Sequence, residues 1–162
     1  MSTNENGILP TIVTITSLME TTYRCSYEFF IMVDDASKPN YTKIKSLEAR
    51  YNRLRVNFLE PPQCLNAIEK QLKNTQRWPI AAYYRLFLPD LLPNFSKIIY
   101  VDYDIIILGD LDEMFHLDLK GYNLKAVIDP NPNWNNHIFR HPKYICSGVL
   151  LMNLKQMRQN GM

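Results

Sequence analysis

The segment Lys97-Ile98-Ile99-Tyr100-Val101-Asp102-Tyr103-Asp104-Ile105-Ile106-Ile107 sets two carboxylates, one residue apart, between two apolar runs. A continuous Ile/Val/Tyr run predicts a strand buried on both faces, as in parallel α/β sheets. Such a strand has no ordinary use for Asp102 and Asp104, because an unpaired carboxylate there costs several kcal/mol or more. In an extended chain residues i and i+2 point the same way, so the two carboxylates converge on one point. The partner that fits two converging oxygens is a hard divalent cation, Mn²⁺ or Mg²⁺, with phosphate oxygens completing its shell. A D-x-D pair alone also fits a solvated turn; the flanking apolar runs argue for the cation.

Around this segment the chain has 162 residues, 46% of them hydrophobic, which suits a single domain. The formal charge of +2 is near neutral, with Lys and Arg dispersed. Composition therefore gives no electrostatic reason to expect a nucleic acid or an anionic membrane as partner. Cys25, Cys64 and Cys146 are odd in number and widely spaced, so neither a disulfide framework nor a zinc site follows, and a reduced cytoplasmic setting fits best. The polar start Met1-Ser2-Thr3-Asn4-Glu5-Asn6 has no signal-peptide pattern, and no uncharged apolar run approaches the roughly 18 residues of a transmembrane helix.

Taken in order, residues 2 to 7 form a polar loop, and Ile8, Ile12, Ile15 and Met19 then recur at helical intervals, predicting a helix over about 9 to 21. Tyr27 to Val33 is a strand, Ser37 an N-cap for a helix through about Arg50, and Leu54 to Leu59 a second strand closed by Pro61-Pro62. This helix and strand alternation builds a parallel sheet with right-handed crossovers. A short helix over 67 to 74 and a break at Arg77-Trp78-Pro79 precede a helix from Ile80 to Leu88, which Pro89 limits.

Arg85 sits in that helix among Tyr83, Tyr84, Leu86 and Phe87. Either it snorkels outward or its planar fork turns inward to a phosphate or carboxylate. Asp110 and Asp112 form a second D-x-D, better explained by a helix cap after Gly109. Asp129 closes the strand Ala126 to Asp129 and either meets a substrate or opens the loop that follows. Residues 130 to 143 make a long Pro/Asn/His loop in which His137 and His141 lack a metal-site context. Ser147 to Leu154 is a last strand, where Gly148 permits close backbone approach, and a helix begins at its end.

Taken together, Tyr83-Tyr84-Arg85-Leu86, Leu92-Pro93, Lys97 to Asp104, Gly109-Asp110-Leu111 and Cys146-Ser147-Gly148-Val149-Leu150-Leu151-Met152-Asn153-Leu154 resemble glycosyltransferase family 8. These are retaining, metal-dependent sugar-nucleotide transferases, related to lipopolysaccharide galactosyl- and glucosyltransferases and to glycogenin. The resemblance implies a GT-A fold: an α/β, Rossmann-like, mixed and mainly parallel sheet flanked by helices. It implies Mn²⁺ or Mg²⁺ on Asp102 and Asp104, a UDP-glucose or UDP-galactose donor, and a saccharide acceptor such as a lipopolysaccharide core. Its donor-binding set falls on Asn4, Asn6, Arg85, Asp102, Tyr103, Asp104, Asp129 and Ser147. It leaves room for peripheral membrane contact through the family's C-terminal part.

Several features depart from the family pattern. The family's first strand should lie just before Ser2, where only Met1 stands. In the uridine-binding loop, usually Ala-Ser-Asp-Asp-Asn-Tyr, Asn6 matches, while Asn4 replaces an aspartate and Gly7 the tyrosine. Cys146 replaces an asparagine that normally holds the sugar. The family's acidic-glutamine pair and its His-x-x-Gly-x-x-Lys-Pro-Trp segment, source of a third metal ligand, have no counterpart. Residues 1 to 162 thus correspond to one incomplete nucleotide-sugar-binding domain, for which weak activity or none is expected. The rival reading is a degenerate, non-catalytic module that holds nucleotide or a protein partner. A flavodoxin-like or response-regulator domain is a third option, but the order of acids along the chain does not supply its site.

Overall fold

The computed structural model describes residues 1–62, 65, 80–129 and 144–162. The expected helix over 67 to 74, the break at Arg77-Trp78-Pro79 and the loop with His137 and His141 lie outside the described residues. Helix α1 spans Ile8–Thr21. Its Thr, Ile and Val content disfavours a helix, but Ile8, Ile15, Leu18 and Met19 are all buried, so packing supplies what propensity withholds. Strands β1 (Tyr27–Met32) and β2 (Leu54–Leu59) pair in parallel, Tyr27 opposite Leu54 through Met32 opposite Leu59. The crossover between them is more broken than its sequence suggests: a 3₁₀ turn at Pro39–Tyr41, then α2 (Thr42–Lys45) and α3 (Leu47–Arg50). Ser37 does not cap it; its hydroxyl donates to Asp35 Oδ1 at 2.6 Å, an Asx-type turn that competes with capping.

Residues 2 to 7 are not a plain loop. Met32 N–H donates to the Met1 carbonyl at 3.0 Å and Thr3 N–H to the Met32 carbonyl at 2.9 Å, so Met1 to Thr3 run extended beside β1. The Met1 amino group donates to the Phe30 carbonyl at 3.1 Å, the bond a strand N–H makes in a parallel ladder. A 3₁₀ turn at Glu5–Gly7 then leads into α1, with Asn4 as its cap.

The D-x-D strand differs from its sequence reading in two ways. Strand β3 is Ile98–Val101, and it pairs antiparallel with the last strand rather than lying in an all-parallel sheet. With β4 (Leu124–Ile128) and β5 (Ile145–Met152) it makes a three-stranded sheet in the order β3-β5-β4, all antiparallel. The α/β, mixed character holds, while parallel pairing among the described residues is confined to β1, β2 and the Met1 to Thr3 stretch. A cavity of about 440 Å³ separates the edges of β1 and β3, lined by Phe30, Ile99 and Val101 among others.

The run before β3 is 3₁₀ rather than α over Ile80–Phe87, and it passes into α4 (Leu88–Leu91). Pro89 does not end the helix. It sits in the first turn of α4, where its missing N–H has no helical acceptor to lose. Two further short helices follow, α5 (Asp112–His116) and α6 (Leu154–Gln159), the latter capped by Asn153 Oδ1 accepting from Gln156 N–H at 3.0 Å. Among the described residues no helix is long and apolar enough to cross a membrane.

Candidate functional site

Strand β3 delivers its chemistry at its C-terminal end. Asp102 N–H donates to the Gly148 carbonyl at 2.8 Å, which extends the pairing with β5 by one residue before the chain turns at Tyr103 and Asp104. The strand period therefore stops at Asp102, and the extended geometry on which the two carboxylates were expected to converge does not continue to Asp104. Asp102 is half-buried and Asp104 exposed. The turn is pinned from beneath by buried Thr14 of α1, whose hydroxyl lies 2.8 Å from the Tyr103 carbonyl and 2.7 Å from that of Ile105. The same oxygen accepts from Ile105 N–H at 3.2 Å.

The Asp102 carboxylate is held asymmetrically. Its Oδ1 accepts from the Tyr100 hydroxyl at 2.9 Å and from Arg85 Nη2 at 3.1 Å. Its Oδ2 stands 2.9 Å from where a Cβ on Gly148 would be, so the carboxylate fits only because residue 148 lacks a side chain. Burial pushes the Tyr100 hydroxyl well above the usual phenol range, which keeps it a donor at neutral pH.

Arg85 turns inward, which settles its two sequence readings against snorkelling. Its side chain is only 13% exposed. The 3₁₀ repeat of three sets Arg85 over Ala82, and Nε donates to the Ala82 carbonyl at 2.8 Å. Nη1 donates to the Ser147 carbonyl, and the guanidinium lies 4.4 Å from the centre of the Tyr100 ring, a cation–π contact. The Ser2 hydroxyl donates to the Ala81 carbonyl at 2.8 Å and lies 3.3 Å from the Tyr100 hydroxyl, so the N-terminal stretch braces the same cluster.

A second group surrounds Tyr103. A Cβ at Gly7 would meet Thr3 Oγ1 at 2.2 Å and the Tyr103 ring at 3.0 Å, so glycine at 7 is a packing requirement of this Tyr103 position. Asn4 Oδ1 accepts from Asn6 N–H at 3.0 Å and Gly7 N–H at 3.2 Å, which commits that oxygen to the backbone, and Asn6 is exposed. Asp129 lies just past β4, its N–H donating to the Tyr144 carbonyl at 2.9 Å. Strand β4 pairs with β5, the strand that also carries exposed Ser147. Cys146 is an exposed free thiol, its Sγ 3.8 Å from the same Gly148 Cβ position that crowds Asp102.

The second D-x-D serves structure. Asp110 Oδ1 accepts from Asp112 N–H and from the Tyr27 hydroxyl, both at 2.9 Å, and Oδ2 from the Thr22 hydroxyl at 3.3 Å. The Asp112 N–H, then the Tyr27 hydroxyl, hold this carboxyl below the usual carboxylate range. His116 is exposed, with Nδ1 2.8 Å from the Asp112 carbonyl within its own helix turn.

Three contributors escaped the sequence. In the sequence Tyr100 reads as part of the Ile/Val/Tyr run and Thr14 as part of the first helix, and nothing there marks the Ser147 carbonyl as an acceptor for Arg85. The available signals were the position of a tyrosine two residues ahead of a carboxylate, on the same strand face, and Thr11 and Thr14 three apart on the apolar face of α1.

Among the described residues no three His, Cys, Asp or Glu side chains gather as a metal site. The donors on hand are Asp102 Oδ2 and the exposed Asp104 carboxylate, two hard oxygens that suit Mn²⁺ or Mg²⁺ if phosphate or water oxygens complete the shell.

The whole chain, residues 1–162, matches the model for Glycosyl transferase family 8. It is 30% identical over 152 residues to a lipopolysaccharide 1,2-glucosyltransferase of Escherichia coli (strain K12), a match covering 89% of this chain and 44% of that protein. It is 31% identical over 170 residues to glucoside xylosyltransferase 2 of Mus musculus, covering 94% of this chain and 36% of that one. The chain thus spans less than half the length of these relatives. Among solved structures it superposes on the galactosyltransferase LgtC, crystallised with donor and acceptor sugar analogues. That match has a TM-score of 0.75 and 21% identity, and covers 98% of this chain and 58% of that one. The bifunctional glycosyltransferase WbbM gives a TM-score of 0.76 at 19% identity, covering 99% of this chain and 32% of that one. At such identities the likeness speaks for the fold, which is the α/β GT-A type. Its own sequence over all 162 residues places this chain in glycosyltransferase family 8.

Proposed function

We propose that this chain forms the donor-binding part of a retaining hexosyltransferase that moves glucose or galactose from a UDP-sugar to a saccharide acceptor. The observation that carries this reading is the cluster at the end of β3: Arg85 and Tyr100 both on Asp102 Oδ1, with Oδ2 and Asp104 left as oxygen donors. Mn²⁺ or Mg²⁺ would be held by Asp102 and Asp104; when bound, it supplies positive charge against the diphosphate of the leaving nucleotide. Arg85 has a planar fork suited to a phosphate oxygen and is bonded to the same Asp102 carboxylate. In this reading Tyr103, Asn4 and Asn6 face the uridine, and Asp129 and Ser147 face the sugar. The acceptor class follows from the lipopolysaccharide glucosyltransferase relative, and a lipopolysaccharide core saccharide is the first acceptor to assay.

Titration calorimetry of UDP with and without Mn²⁺ tests the reading. Tighter binding with Mn²⁺, lost in Asp102→Ala with Asp104→Ala, supports it. Equal binding with and without metal, unchanged in the double variant, overturns it. The non-catalytic reading draws on two observations: Asn4 Oδ1 is occupied by the backbone, and a thiol stands at Cys146. Metal-linked UDP binding without transfer to any saccharide acceptor would favour it.

A further inference from the structure

We infer that Tyr100 is a positioning residue, whose hydroxyl fixes which oxygen of Asp102 is offered to a divalent cation. The inference rests on the donor-site reading above and goes beyond it to a residue buried behind the carboxylate. Tyr100 is 1% exposed, at the centre of β3, with its ring packed in the core formed by Leu88, Leu92, Leu150 and Met152. Its hydroxyl nonetheless points along the strand to Asp102 Oδ1 at 2.9 Å, two residues on and on the same face.

The geometry makes this bond a selector between two oxygens. Tyr100 and Arg85 both donate to Oδ1, which leaves Oδ2 without a donor among the described residues, against the bare α-carbon of Gly148. Arg85 is the less constant of the two donors, because its charged guanidinium is a group that a phosphate can also engage. The Tyr100 hydroxyl is neutral and buried, and it carries no charge to trade. It holds Oδ1 whether or not Arg85 turns to another anion. Ser2, 3.3 Å away and anchored on the Ala81 carbonyl, limits the hydroxyl on its other side. Hydrogen-bond partners behind a metal ligand commonly set its affinity by 10- to 100-fold, roughly the range expected here.

The test is Tyr100→Phe, which keeps the ring and removes only the hydroxyl. Free Mn²⁺ is followed by its electron paramagnetic resonance signal during titration into the UDP-saturated protein, and UDP affinity without metal is measured alongside. The proposal expects Mn²⁺ affinity to fall roughly tenfold or more while metal-free UDP binding stays within about twofold. Replacement of Tyr100 by 4-aminophenylalanine, which restores a donor at the same place, should recover the Mn²⁺ affinity. It also serves if the phenylalanine variant does not fold. Unchanged Mn²⁺ affinity in Tyr100→Phe, or an equal loss of metal-free UDP binding, overturns the positioning role. No Mn²⁺ binding by the unaltered chain, or binding that Asp102→Ala leaves intact, removes the donor-site reading and this inference with it.

Discussion

Arg85 and Asp102 form an ion pair, Nη2 to Oδ1 at 3.1 Å, between a 3₁₀ run and the end of a strand 17 residues further along the chain. The pair is lopsided, since Arg85 is 13% exposed and Asp102 31%. The arginine is therefore the buried member, and it also holds the Ala82 and Ser147 carbonyls.

Arg85→Met keeps much of the length and removes all of these bonds. Leaving part-buried acceptors without their donor should cost about 1–3 kcal/mol of stability, read from chemical denaturation. UDP affinity in the presence of Mn²⁺ should also fall roughly tenfold or more, by loss of a charged donor near the diphosphate. A variant that loses stability but keeps UDP affinity would make Arg85 a structural clamp alone.

Acid should weaken the folded chain in two separate windows. Burial lowers the Met1 amino group from 8.0 to about 5. Between those values the unfolded chain carries a proton that the folded one lacks, so stability falls as pH drops from 8 to about 5 and then levels. Over three pH units the linked loss is about 4 kcal/mol at most. Nα-acetylation removes that dependence. Asp110, held below the usual carboxylate range by Asp112 N–H and the Tyr27 hydroxyl, gives a second loss. Its stabilisation is present above its unfolded value near 3.8 and disappears as pH falls through the lower folded value; Asp110→Asn should abolish this step. Thermal denaturation from pH 3 to 8 on the three proteins separates the windows.

Periodicity made much of this legible. Strand β2 falls where Leu54 to Leu59 alternates, and α1 where Ile8, Ile15 and Met19 recur, because burial of one face leaves its mark on residue order. Pairing direction leaves no such mark: the apolar run of β3 reads alike for a parallel or an antiparallel neighbour, and only the opposite run of β5 beside it determines it. The 3₁₀ geometry of Ile80–Phe87 was equally hidden, since good helix formers permit either repeat. Asp102 and Arg85 were found because charge inside an apolar run has to be answered. Tyr100 and Thr14 were missed because their hydroxyls sit on residues that also pass as ordinary core.

Gly148 gives the sharpest test of how closely sheet and site are joined. Its carbonyl accepts the Asp102 N–H at 2.8 Å while its α-carbon backs the Asp102 carboxylate, so one residue fixes both the backbone and the side chain of Asp102. Gly148→Ala places a methyl carbon 2.9 Å from Oδ2, closer than such contacts allow, and its neighbours are a carboxylate oxygen and Cys146 Sγ. The strand backbone tolerates alanine, so the variant should fold, with a penalty of about 1–3 kcal/mol from overpacking. The carboxylate is the part free to move, and its rotation takes Oδ2 from the place where it now stands against Gly148. Mn²⁺-linked UDP affinity should therefore fall roughly tenfold, while metal-free UDP binding changes little. Full retention of the metal-linked affinity in a folded Gly148→Ala protein would mean that Oδ2 is not the oxygen on which a cation depends.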